Sequence, residues 1–169
     1  MGDYIYPAPG VTNSEITVKL VADPDTANTA LALAGFQDVT INAANDTFTW
    51  EQLDSTAKKQ IATTSTNSVT MNLVVNKATF FGTDLASAGG TDVTMAAQGI
   101  MGASRNKTLV EFDIYTGKED DDTAGVYIYG KGYITGLAPT VSAGEPVWVT
   151  PVTISVTGEF TVGAAATLT

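Results

Sequence analysis

The carboxylates come first, because the sequence holds no histidine and no cysteine. Without them the commonest general base, the usual transition-metal ligands and any thiolate nucleophile are gone. A Ser-His-Asp arrangement is impossible, and no G-x-S-x-G elbow occurs. Glu119, Asp120, Asp121 and Asp122 crowd the stretch "KEDDDT". Hard cations favour such clusters, but consecutive carboxylates diverge and the spacing of a calcium loop is missing. A solvated hairpin tip is expected there, with a cation site as the alternative. Glu51, Glu111, Asp113 and Glu159 lie on strand-like segments. Glycoside hydrolysis needs two carboxylates at a fixed separation, and nothing in the spacing selects a pair. "GKGYITG" lacks the dinucleotide spacing and lies inside a strand-like run, so its glycines read as structural. Tyr127, Tyr129 and Tyr133 alternate along that run. They could stack on sugar rings, or pack against a neighbouring subunit, which is the preferred reading. No catalytic residue, cofactor or metal is expected, and the chain is not read as an enzyme.

The 169 residues suit one domain, and 44% hydrophobic content is enough for a core. Mean hydropathy is +0.11, high for a chain that must stay soluble alone, which points to partners covering surface. Eight Lys and Arg against 18 Asp and Glu give a net charge of −10. That balance repels phosphates and disfavours conventional nucleic-acid binding. The N-terminus "MGDYIYPAPG" lacks a basic flank followed by an apolar core, and no run approaches the length of a membrane helix. The N-terminus is not read as a secretory signal, a cysteine-free exported protein stays open, and membrane insertion is not expected.

Apolar alternation places these groups mainly on strands. "ITVKLVA", "FQDVTINA" with "FTWEQ", "SVTMNLVVN", "NKTLVEFDIY" and "VYIYGKGYITG" read as strands. The last strand runs from Val152 to Val162, with Val152, Ile154, Val156 and Phe160 on one face. Thr153, Ser155, Thr157, Glu159 and Thr161 occupy the other. Residues 1–14 read as an extended arm, 24–35 as a loop with one helical turn, 54–67 as a loop and 163–169 as a tail. Thr91 or Asp92 would cap a helix carrying Met95, Ile100 and Met101, stopped by Gly102. The expected architecture is mainly β: a single domain over 1–169, an antiparallel sandwich or barrel-like body with one short α-helix. Segments 68–76 and 152–162 carry no Pro or Lys guarding an edge, which suggests strands kept open for assembly.

The order "VTMNLVVN", "GGTDVTMAAQGIMGAS", "KTLVEFDIYTG" and "VYIYGKGYITGLAPTVSAGEPVWVTPVTISVTGEFTV" resembles the major tail tube proteins of long-tailed bacteriophages and archaeal tailed viruses. The resemblance covers roughly residues 36–162. It implies a structural virion protein of the tail, made in the host cytoplasm, that forms hexameric rings stacked into a tube. DNA would pass through without specific binding. The tape measure, tail terminator and tail tip proteins would be further partners. Six subunits giving about four strands each make a wall of roughly 24 strands and a backbone diameter of about 48 Å. On this reading Glu111, Asp113, Thr153, Ser155, Thr157 and Glu159 line the channel, polar yet unable to grip phosphate. Tyr4, Tyr6, Tyr127 and Tyr129 lie between subunits. A β-sandwich adhesin, a carbohydrate-binding module and a capsid decoration protein are the alternatives.

Overall fold

A computed structural model of the chain describes residues 16–20, 30–33, 35–51, 53, 57–84, 94–118, 125–144 and 146–165. The arm at 1–14, the acidic stretch at 119–122 and the cap candidates Thr91 and Asp92 lie outside them. In chain order the strands are β1 (Ile16–Leu20), β2 (Leu31–Leu33), β3 (Phe36–Trp50), β4 (Lys59–Val74), β5 (Leu109–Lys118), β6 (Gly125–Leu137), β7 (Val149–Val156) and β8 (Thr161–Gly163). Among the described residues, a π-helical turn, Lys77–Phe81, and the helix α1 (Met95–Arg105) lie between β4 and β5. The fold class is mainly β with one short helix, as the alternation predicts.

All strand pairs are antiparallel, in the order β2-β1-β5-β6-β7-β4-β3, with β8 continuing beyond β7 along β6. The first and last members of this order, β2 and β3, are consecutive in the chain. Residues 34 and 35 alone separate them. Three peptide units reach no further than about 11 Å, whereas seven strands laid flat would hold their edges about 29 Å apart. The sheet therefore curls until its edges nearly meet, without a ladder joining them. Leu33 of β2, Leu73 of β4, Phe112 and Ile114 of β5, Ile134 of β6 and Ile154 of β7 share one buried core inside the curl.

Helix α1 contributes to that core with Met95, Ile100 and Ala103, while Met101 is exposed. Its cap is Thr94, whose hydroxyl accepts from the Ala97 amide at 3.3 Å. Gly102 does not end the helix, which runs on to Arg105. At Gly99 the backbone kinks, with φ +64°. A Cβ there would lie 2.5 Å from the Gly82 nitrogen and 2.6 Å from the Phe80 carbonyl oxygen. Helix and π-turn thus meet backbone to backbone, and the Ser104 hydroxyl ties α1 to the Ile134 carbonyl at 3.1 Å.

Four further expectations change. Leu31–Leu33, read as part of a helix-bearing loop, is strand β2. Residues 59–67, read as loop, extend β4 to 16 residues. The run from Val152 to Val162 is not one strand. It breaks after Val156, turns at Gly158 with φ +95°, and resumes as β8. Segments 68–74 and 152–156 are not edges, since β4 lies between β3 and β7, and β7 between β4 and β6.

Candidate assembly surfaces and polar sheet face

The side of the sheet away from the core carries the residues singled out above. Thr153 is half-buried, and Ser155, Thr157 and Glu159 are exposed, as alternation with Val152 and Ile154 requires. Thr135 of β6 joins them, its hydroxyl 2.9 Å from that of Ser155. Opposite on β4 stand Ser68 and Thr70, paired in register with Ser155 and Thr153. Three neighbouring strands thus present hydroxyls rather than charges.

The character changes across β6 and β5. Glu111 and Lys131 face each other in register, with Lys131 Nζ 2.6 Å from Glu111 Oε1. Beyond Val156, the Thr157 amide donates to the Lys131 carbonyl at 2.7 Å. This holds the Gly158 corner over β6 and encloses an open groove of about 400 Å³, lined by Glu111, Phe112, Tyr129, Lys131, Thr157 and Glu159 among others.

Asp113 is a correction. It shares the face of Glu111 but is only 3% exposed. Strands β1 and β6 flank it on both sides, in register at Thr17 and Tyr129, and tyrosines crowd the same face. It cannot serve as an open wall residue. Tyr115, Tyr127 and Tyr129 form a ladder, with ring centroids 5.0 Å apart for the first pair and 6.4 Å for the second. The Tyr129 hydroxyl donates to the Ala165 carbonyl of the same chain. Burial, then the neighbouring Tyr115, Asp113 and Tyr129, push the Tyr127 phenol above its usual value. Both Tyr127 and Tyr129 are half-buried within their own chain, whereas Tyr4 and Tyr6 lie outside the described residues.

A surface that periodicity missed is the free half of the β3–β4 hairpin. Strand β7 pairs with β4 only from Ser68 to Val74. Residues 42–49 and 59–66, exposed throughout, project beyond it as a two-stranded ribbon. Opposite Asp46 the ribbon bulges: Asn45 pairs with Ser65, but Thr47 pairs with Ala62, so β4 carries one extra residue. Thr63 and Thr64 both donate to Asp46, one to its carbonyl and one to its carboxylate, each at 3.2 Å. Past the bulge Phe48 sits opposite Ile61, and Phe48 stacks on Trp50 at 5.9 Å. Phe48 is 60% exposed and Ile61 56%. At the other end of β4 a second apolar patch, Val141, Val147 and Trp148, is also exposed. Its loop is pinned by the Val75 amide donating to the Trp148 carbonyl at 2.8 Å. Fifteen strand steps, about 50 Å, separate Lys59 from Val74. The pairing Val74↔Val149 puts the second patch at that far end.

Among the described residues, no group of three carboxylates could hold a metal ion. No helix there is long and apolar enough to cross a membrane.

Solved structures share this arrangement. The tail of an empty gene transfer agent particle, refined with C6 symmetry, matches 88% of this chain and 96% of its own at TM-score 0.59 and 14% identity. The chain has the fold of tail tube subunits. The SPP1 tail tube matches 92% of this chain and 80% of its own, at TM-score 0.59 and 10% identity. The tail-tube fold extends to the sheath–tube complex of a contractile injection system, at TM-score 0.50, 12% identity and 92% of both chains. No family model matches the chain, and neither does any curated protein.

Proposed function

We propose that this protein is a structural subunit of a viral tail tube, non-catalytic, self-assembling into hexameric rings that stack around a channel for DNA. The observation that carries the reading is the fold, matched over nearly the whole length of both this chain and the gene transfer agent subunit. The surfaces add to it. Two exposed apolar patches lie at opposite ends of β4, and a contact between unlike ends of identical copies propagates as an open stack rather than closing a dimer. Contiguous strands β5, β6, β7 and β4 supply a polar face, and four strands per copy is what a wall of roughly 24 strands needs. That face is the proposed channel wall, with Glu111, Thr153, Ser155, Thr157 and Glu159 towards the lumen. The net charge of −10 suits a conduit that must not hold phosphate. The exposed flanks of Tyr127 and Tyr129 are proposed contacts between neighbouring copies. The protein would reside in the virion tail and meet the tape measure, terminator and tail tip proteins there.

Negative-stain microscopy of the purified protein across protein concentration tests this. Rings with six-fold symmetry or hollow filaments are expected. A chain that stays monomeric, or forms compact trimers, would reject it.

A further inference from the structure

We propose that Glu111 acts as a charge guard for Lys131, engaging this exposed lysine of the polar face so that it does not hold passing DNA. The proposal rests on the tail-tube reading above. Lys131 stands in the middle of the face, and 56% of its side chain is exposed. A ring of six such lysines facing duplex DNA would bind phosphates cooperatively and resist movement along the axis. Glu111 meets its ammonium group at 2.6 Å, a charge-assisted contact at the short end of the range. Because 29% of the Glu111 side chain is exposed against 56% for its partner, the pair is anchored from the carboxylate side. Glu159 lines the same groove as Lys131, adding a second negative charge to it. On the other side of β5, Lys19 of β1 is the register partner of Glu111. Asp113, two residues further along β5, is buried beneath the tyrosine ladder and offers no charge to the lumen. The same arrangement explains why a conduit keeps a lysine here at all: paired across β5 and β6, it neutralises a carboxylate that six-fold repetition would otherwise bring close to its own copies.

The test uses assembled tubes of the full chain and a fluorescent duplex oligonucleotide, with binding read by anisotropy from low to high salt. Parent tubes should bind weakly. Glu111→Gln tubes should bind at least about tenfold more tightly at low salt, with a salt slope steeper by about 0.9 for each lysine that reaches a phosphate. Adding Lys131→Gln to that variant should remove the gain. Glu111→Thr, which suits the Thr-rich face, gives the same reading if the glutamine variant does not fold. Thr157→Lys, with Glu111 intact, adds an unguarded lysine beside the pair and should bind DNA. Tubes in which Thr157→Lys binds but loss of Glu111 does not would overturn the guard alone. A gain that survives Lys131→Gln would overturn it as well. If Thr157→Lys tubes do not bind either, the face is not the wall and the proposal falls with it. A parent chain that forms no tubes removes the tail-tube reading and the guard together.

Discussion

Gly99 carries a conformation and a contact that no other residue can supply. Its φ of +64° is disfavoured for side chains, and its Cα faces the backbone of Gly82 and Phe80 at under 3 Å from any added Cβ. Gly99→Ala should lower stability by more than about 3 kcal/mol, because neither backbone can yield as a flexible side chain would. Urea unfolding of the purified protein measures it, and a loss below about 1 kcal/mol would mean that the helix can lift off the π-turn. Tyr127 gives a pH dependence. Its folded value lies above the unfolded one of about 10, so the neutral phenol's contribution is complete below that pH. It is lost as pH rises through the folded value. Parent stability should therefore decline more steeply above about pH 10 than that of Tyr127→Phe. Parallel profiles would show that the ladder does not hold the phenol. Asp113 marks a limit of reading single residues. Alternation assigned it correctly to the side of Glu111, but a period gives the side and not what covers it. The tyrosine ladder lies on that face, and the strand flanking Asp113 within the sheet, β1, comes almost 100 residues earlier in the chain.

The elements legible in the sequence were those with one buried face. Strands β5, β6 and β7 were read from alternation because Val110, Phe112, Ile114, Ile134, Val152 and Ile154 recur at period two against the core. The ribbon half of β4 has no buried face, and its Thr and Ser run, exposed on both sides, resembles a loop in composition. Only its β-branched content hinted at a strand. The break after Val156 was hidden for the opposite reason: Gly158 falls on an even position and does not disturb the alternation. At the root of the ribbon, Asn67 is buried, and its side-chain amide donates to the Gly158 carbonyl at 2.8 Å. Asn67→Ala should cost about 1 to 2 kcal/mol and loosen the corner, seen as faster amide exchange at Thr157 and Gly158. An unchanged exchange rate at both would show that the Thr157–Lys131 bond holds the corner alone. For the ribbon itself, Phe48→Ser with Ile61→Ser removes exposed apolar groups that no core contact uses. Folding stability should change by under about 1 kcal/mol while rings fail to stack. Full-length filaments from this variant would remove the ribbon from the assembly.

At the scale of the whole molecule, the fold class could be read from the sequence, but the curl could not. Curvature follows from which strands pair, and those pairings join residues as distant as Ile16 and Ile114. The seam between β2 and β3 then has a mechanical consequence. A fully closed barrel changes its girth only by breaking ladder bonds or sliding strands past one another. This sheet is a split ring, its two lips joined in the chain by residues 34 and 35, with the Gly35 carbonyl accepting from the Val74 amide of β4, on the β3 side of the slit, at 3.0 Å. Widening the slit would break no ladder bond, but it would draw Leu33 of β2 away from the shared core. In the proposed tube, a bend could then be taken up within subunits on the outer side of the curve, by a slight gape at this slit, as well as between rings.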